Sequence, residues 1–233
     1  VQQQVTKIVI ISGAGISAES GLATFRDPDG LWQQYDLADL ATPEAFARNP
    51  ALVHRFYNSR RIQAAKAKPN AAHLAIAKLE QAFNVVVVTQ NVDDLHERAG
   101  SSKVLHLHGK LNEARSSIDP DLIEVIDDRE LKVGELALDG SFLRPNIVWF
   151  GEEVSAMQPA MAEVASADKI LVVGTSLQVY PAASLLFYAR DDAEKVLINL
   201  EATDNDAGYQ FIQGKAATEV PKLVEQWLAA IAG

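Results

Sequence analysis

Apolar residues gather in six short runs, at 7–12, 84–89, 104–107, 147–150, 169–173 and 195–200, each bounded by small or polar residues. In the first, Ile8, Val9, Ile10 and Ile11 follow one another without a polar break, and Val85 to Val88 do the same in the second. A strand with one solvated face would alternate. A continuous β-branched run predicts a strand covered on both faces, as in a parallel sheet. Between the runs the period becomes helical, over 70–82 and 157–165. Near the end, 220–231 puts Leu223, Val224, Trp227, Leu228 and Ile231 on one face. Strands alternating with helices predict an α/β fold, a Rossmann-like parallel sheet with helices on both faces.

Two stretches interrupt the alternation. Residues 42–68 read as helical, with apolar positions at Leu52, Val53, Phe56 and Ile62. Residues 112–144 combine an acidic stretch at 119–128 with weak alternation over 131–138. The expected organisation is a single domain whose large part comprises 1–40, 70–111 and 145–233, with a small part made of 41–69 and 112–144.

Composition then narrows the function classes. Among 233 residues, 48% are hydrophobic and 22% charged, as in an ordinary soluble domain. No apolar run approaches the ~18 residues of a membrane-spanning helix. The opening VQQQVTK lacks the regions of a secretory signal, so a cytoplasmic location is expected. A net charge of −10 argues against nonspecific binding to nucleic acid or an anionic membrane. The absence of cysteine excludes disulfides, thiolate catalysis and cysteine-zinc sites.

Ligands of parallel sheets bind beyond the C-terminal ends of the strands. Those positions hold Gly13-Ala14-Gly15, Gln90-Asn91-Val92-Asp93, His108-Gly109, Gly151-Glu152, Gly174-Thr175-Ser176 and Asn199-Leu200-Glu201. Gly13 to Ala18 fits G-x-G-x-x-G/A, in which glycines permit a tight turn and the N–H groups of a following helix face a pyrophosphate. The hexapeptide alone also fits a plain strand-to-helix turn. A hydride-transferring dehydrogenase should end a second apolar strand on an acidic residue about twenty residues later, yet 33–39 are polar and hold no such strand. In its place, Phe25, Arg26 and Asp27 set an aromatic, a cation and an anion in succession, the composition of a lid over a bound cofactor. His108, beside a glycine at a strand end, is the candidate general base. His106 reads as a core residue, and two histidines without a third ligand make a weak metal site. Gln90, Asn91 and Asp93 offer the donors and acceptors a carboxamide needs, and Asn or Asp there equally suits helix capping.

In order, the segments GAGIS (13–17), FRD (25–27), TQNVD (89–93), HLHG (106–109), IVWFGE (147–152) and GTSL (174–177) resemble the sirtuins, NAD-dependent protein-lysine deacylases, over roughly residues 7–221. The resemblance implies that NAD is consumed as a co-substrate. Gly13, Ala14 and Gly15 would face its phosphates, with Gly174, Thr175 and Ser176 opposite. Asn199, Leu200 and Glu201 would lie along the adenosine half, with Ala216 near the adenine. Phe25 and Arg26 would belong to a mobile lid. Ile16, Gln90, Asn91 and Asp93 would surround the nicotinamide, and His108 and Asn91 would be the catalytic pair. Val148, Phe150, Gly151, Leu177 and Val179 would flank an extended substrate peptide that pairs as an added strand. In the family's chemistry the acyl oxygen of an acylated lysine attacks the ribose carbon that bears nicotinamide. The base takes a ribose hydroxyl proton, and water releases 2′-O-acyl-ADP-ribose and free lysine. The implied partners are acylated lysine side chains of proteins or peptides, bound by a monomer.

Two features refine the resemblance. Tyr57 and Arg60 lie three apart on a helix, and a phenol converging with a guanidinium suits a carboxylate. This Tyr-x-x-Arg is similar to the signature of sirtuins that remove succinyl, malonyl and glutaryl groups, and Ala41 would leave room for the longer chain. The competing reading makes Arg60 and Arg61 a solvated basic face. Most sirtuins also hold a structural zinc on four cysteines after the His-Gly. Here the corresponding places read Arg115-Ser116-Ser117-Ile118 and Leu136-Ala137-Leu138-Asp139. No zinc is expected, and apolar packing of Leu122, Ile123, Ile126, Leu131, Val133, Leu136 and Leu138 should hold the module instead. The expected activity is desuccinylation, with malonyl removal and deacetylation beside it. The alternatives are a mono-ADP-ribosyltransferase or NAD hydrolase, and a catalytically silent sensor of NAD or ADP-ribose.

Overall fold

The computed structural model describes residues 5–24, 36–202 and 208–232. Its strands are β1 (Lys7–Ser12), β2 (Asn84–Thr89), β3 (Val104–His106), β4 (Gly109–Ser116), β5 (Ile123–Val125), β6 (Leu143–Ile147), β7 (Lys169–Val173), β8 (Glu194–Asn199) and β9 (Gln210–Gln213). Six of them form one sheet in the order β3-β2-β1-β7-β8-β9, every pair parallel. The central strand is β1, whose Ile10 lies opposite Val87 on one side and Leu171 on the other.

The unbroken apolar runs follow from this topology. Ile8 and Ile10 pack with Val87, Leu171 and Val173 beneath the helices Ala71–Lys78 and Ala216–Ala232. Val9 and Ile11 pack on the opposite face with Val86, Val88 and Val172, beneath Met157–Ala165 and the 3-10 helix Ala182–Tyr188. All four β1 side chains from Ile8 to Ile11 are essentially inaccessible to water, and each contributes roughly 1.5–3 kcal/mol by its burial.

Several elements differ from the sequence expectation. The C-terminal helix begins at Ala216 and carries Pro221 inside it, where the expected start was 220. The Glu19 carboxylate accepts from Ala217 N at 2.9 Å and so satisfies one of the free N–H groups at that start. Ile231 is exposed, so the docked face ends a turn earlier. β9 is an edge strand whose two glutamines are exposed, which left no apolar run to read. The run at 147–150 is not a strand of the parallel sheet. β6 ends at Ile147 and pairs antiparallel with β4 in a separate sheet ordered β5-β4-β6. All five β6 residues are buried, among them Arg144, Pro145 and Asn146, so polarity concealed the strand.

The helical stretch after position 42 is built from Pro43–Arg48 and Pro50–Lys66. Each opens with a side-chain cap followed by proline: Thr42 Oγ1 accepts from Ala45 N at 3.0 Å and Asn49 Oδ1 from Leu52 N at 3.1 Å. Val53, Phe56 and Tyr57 pack against Leu40, Ala41, Leu111, Ile147 and Trp149, which joins this stretch to the small sheet. Arg61 is 2% exposed and donates to Leu111 O and to Asn58 Oδ1, both at 2.5 Å. It is a structural tie rather than part of a solvated face.

Packing of the 112–144 region is only partly as expected. Ile126 and Leu131 are buried with Ala114, Ala137 and Leu143, and Leu122 packs against them. Ile123, Val133, Leu136 and Leu138 are exposed instead, the first because β5 is an edge strand. A polar knot supplies further closure where cysteines were sought. Buried Ser116 donates to Asp139 Oδ2 at 2.6 Å and accepts from Ile118 N at 3.0 Å and Asp119 N at 2.9 Å. Among the described residues, no group of three or more His, Cys, Asp or Glu side chains is placed to hold a metal ion. Ser116→Ala should therefore lower unfolding stability by about 1–2 kcal/mol in urea titrations, while EDTA leaves the wild-type midpoint unchanged. A midpoint lowered by EDTA would contradict this account.

Candidate active site

Strand order reverses between β1 and β7, and at such a switch point a crevice opens beyond the strand ends. Here a cavity of about 740 Å³ lies there. It brings together Gly13, Ala14, Gly15, Gln90, Asn91, His108, Val148, Phe150, Gly151, Gly174, Thr175, Ser176, Val179, Asn199, Leu200, Glu201 and Ala216, with Tyr57 and Arg60 in the same wall. Ile16, Asp93 and Leu177 do not line it. Ile16 and Leu177 are core residues, and Asp93 lies behind the wall with Oδ1 accepting from Leu95 N at 3.2 Å. Phe25 and Arg26 lie outside the described residues.

The loops after β1 and β7 touch backbone to backbone. A Cβ on Gly13 would stand 2.7 Å from Gly174 O, and one on Gly15 would stand 2.8 Å from Gly174 Cα. Gly174 has φ +63°, a conformation that disfavours any side chain. The contact uses N–H groups expected to face an anion: Gly13 donates to Val173 O, Gly15 to Gly174 O and Ile16 to Gly13 O. The helix that follows is a single turn, Gly15–Ala18. Neighbouring loops are tied to the pair. Gln90 Nε2 donates to Thr175 Oγ1 and Asn199 Nδ2 to Thr175 O, each at 3.0 Å.

The two histidines of HLHG diverge. His106 points both ring nitrogens at oxygen acceptors, Asn91 O at 2.9 Å and Glu97 Oε1 at 2.8 Å, and does not line the cavity. His108 Nδ1 lies 3.0 Å from Gln90 O. A carbonyl only accepts, so Nδ1 carries the proton and Nε2 of the neutral ring is left with its lone pair. Burial lowers the His108 pKa, against the opposing pull of the Gln90 carbonyl, which favours the neutral, basic ring. Asn91 Nδ2 donates to Ser17 Oγ at 3.1 Å.

On the opposite wall, Tyr57 and Arg60 project from the helix Pro50–Lys66 beside Ala41 and Phe56. Burial pushes the Tyr57 hydroxyl to about 12, so it stays protonated. Arg60 is largely desolvated, which lowers its pKa against the opposing effect of Tyr57 and Asp93. Its guanidinium carbon sits 5.9 Å from the Phe56 ring centroid.

Among the wall residues, Trp149 was expected only as part of the peptide-flanking stretch 148–151, and Glu152 carried no assigned role. Glu152 is gripped by Arg144, at 2.5 Å from Nη1 and 3.0 Å from Nη2, and by Arg115 at 3.2 Å. It also accepts from Trp149 N at 2.8 Å. Val148 N and Phe150 N donate to His108 O and Ala41 O. The N–H groups of 148–150 are thus all spent internally, and a peptide pairing here would meet carbonyls and the Gly151 N–H. The IVWFGE segment advertised these positions, yet the cations that fix them lie outside it, Arg144 on the adjoining β6 and Arg115 on β4.

The model of the Sir2 family matches residues 13–181. The chain belongs to the Sir2 family. It is 54% identical, over 80% of its length and 81% of the relative's, to an "NAD-dependent protein deacylase" of Helicobacter pylori. A crystal structure of a Sir2 homologue in complex with NAD is similar with a TM-score of 0.86 and 40% identity, over 97% of this chain and 91% of that one. A Sir2 bound to an acetylated peptide is similar with a TM-score of 0.79 and 30% identity, over 96% and 94%.

Buried histidines give this Sir2 protein an acid-side signature. Beneath the crevice, His96 lies 2.9 Å from Ser12 Oγ, with its ring centroid 4.9 Å from that of His73. Burial lowers His73 to about 4 and, with His73 beside it, lowers His96 to about 3. The folded chain keeps these rings neutral while the unfolded chain binds protons below about pH 6.5. Stability present above pH 6.5 is therefore lost as pH falls towards 4. The urea midpoint should already decline between pH 6.5 and 5, and His96→Gln should flatten that slope. A wild-type midpoint that stays level down to pH 5 would count against the buried neutral rings.

Proposed function

We propose that this Sir2 protein is an NAD-dependent protein-lysine deacylase that prefers acyl groups ending in a carboxylate, succinyl and malonyl foremost, with acetyl also accepted. The observation that carries the acyl preference is the presence of Tyr57 and Arg60 in the wall of the crevice that also holds His108 and the two glycine loops. A desolvated guanidinium beside a protonated phenol matches a carboxylate in charge and in donors. An acetyl group would use neither.

The residues present fit NAD. Glycines at 13, 15 and 174 let the two loops meet backbone to backbone at the crevice, and a volume near 740 Å³ is in the range of cofactor pockets. Gly13, Ala14, Gly15, Gly174, Thr175 and Ser176 would hold the phosphates, and Asn199, Leu200, Glu201 and Ala216 the adenosine half. Gln90 and Asn91 would meet the nicotinamide, with Ile16 and Asp93 shaping that pocket from behind its wall. NAD, when bound, supplies a ribose carbon whose positively charged nicotinamide is a ready leaving group. His108 Nε2 accepts the proton of a ribose hydroxyl, and the Gln90 carbonyl holds the ring in the tautomer that can do so. Val148, Phe150, Gly151 and Val179 flank the peptide with backbone groups, which suits recognition of acyl-lysine in many sequences. Leu177 supports that strand from the core.

The test is nicotinamide release with matched succinyl-lysine and acetyl-lysine peptides, with 2′-O-acyl-ADP-ribose measured as product. His108→Ala should cost about 100-fold or more in kcat. The acid limb of the wild-type profile should have an apparent pKa below 6.5, because burial lowers His108. Arg60→Met should cut the succinyl-to-acetyl ratio of kcat/KM about tenfold or more, through loss of a charged hydrogen bond. Equal loss with both peptides would overturn the acyl assignment. ADP-ribosylated protein, or free ADP-ribose in place of the acyl ester, would overturn the deacylase assignment.

A further inference from the structure

Trp149 is 2% exposed and Tyr57 is 5% exposed, and the Trp149 Nε1–H donates to the Tyr57 hydroxyl oxygen at 3.0 Å. An indole N–H can only donate. The Tyr57 oxygen is therefore the acceptor in this bond, and its own proton must point elsewhere. Among the described residues no acceptor lies within hydrogen-bond distance of that O–H, while Tyr57 lines the cavity. Trp149 is itself held on several sides. The Arg144 guanidinium carbon stacks 3.4 Å from its ring centroid, and Glu152 accepts from its backbone N–H at 2.8 Å.

We infer that Trp149 is a positioning residue for acyl selectivity: by occupying the Tyr57 oxygen as an acceptor, it commits the Tyr57 proton to the pocket, where it meets the terminal carboxylate of the acyl chain. The inference rests on the acyl preference proposed above and adds a polarity to it. With one lone pair taken by the indole, Tyr57 meets the acyl end with its proton, beside the Arg60 guanidinium, which only donates. The pair should favour an acyl chain ending in a carboxylate, which can only accept, over the isosteric carboxamide, whose N–H face opposes these donors. The phenol remains a donor across the working pH range because burial keeps it protonated.

A double-mutant cycle separates this role from packing. The purified chain and its Trp149→Phe, Tyr57→Phe and doubly substituted forms are assayed with succinyl-lysine, succinamoyl-lysine and acetyl-lysine peptides. Trp149→Phe keeps a ring under Arg144 and removes the N–H. It should lower the succinyl-to-acetyl ratio of kcat/KM about three- to tenfold, chiefly by raising KM for the succinyl peptide. It should also narrow the succinyl-over-succinamoyl preference. In the Tyr57→Phe background the same substitution should change neither ratio further. A ratio unchanged by Trp149→Phe, or lowered as much when Tyr57 is already Phe, overturns the positioning role while leaving the acyl preference standing. A wild-type enzyme with no succinyl preference, indifferent to Arg60→Met, overturns the acyl preference and this inference together.

Discussion

The site depends on one backbone contact, the approach of Gly15 to Gly174 across the centre of the sheet. Gly15 N donates to Gly174 O at 2.8 Å, and neither position has room for a Cβ. That contact closes the gap between β1 and β7, the strands at which the sheet order reverses. One wall of the crevice is tied to it through Thr175. Thr175, fixed by the same turn, anchors Gln90 from the loop after β2 and Asn199 at the end of β8. Gln90 in turn orients His108 through its carbonyl. A contact between two stretches of main chain thus fixes His108 relative to the two glycine loops.

The other wall belongs to the small sheet and the helix packed on it. Its arrangement is electrostatic where the parallel sheet is apolar. Burial opposes ionisation of Glu152, but Arg144, Trp149 N and Arg115 together hold its carboxyl below the usual range. That carboxylate grips the turn around Trp149 and Gly151, the segment beside which a peptide would lie. Ser116 and Arg61 close the same unit from behind. Hydrogen bonds and ion pairs thereby tie this unit together beside its apolar cluster.

The parallel sheet was legible because its strands are buried on both faces and must be apolar throughout, so Ile8 to Ile11 and Val85 to Val88 mark themselves. The crevice residues were legible because they follow those strands and are small or polar. β6 was not legible, since Arg144, Pro145 and Asn146 are buried by partners that no local pattern names. The same reason hid the roles of Trp149 and Glu152. The difference between Arg60 and its neighbour Arg61 also emerges only in three dimensions: one lines the cavity, and the other is spent on Leu111 and Asn58. Ile231 and Leu138 fail in the opposite sense, apolar by periodicity yet exposed, because no element among the described residues covers them.

On the function proposed above, a single crevice would hold an acyl chain by its terminal carboxylate while His108 faces the ribose. A crystal structure with ADP-ribose and a succinyl-lysine peptide tests it most directly. The succinyl carboxylate should lie within hydrogen-bond distance of both the Tyr57 hydroxyl and the Arg60 guanidinium, with His108 Nε2 beside a ribose hydroxyl. A succinyl chain directed away from Tyr57 and Arg60, or an ADP-ribose seated away from the two glycine loops, would contradict it.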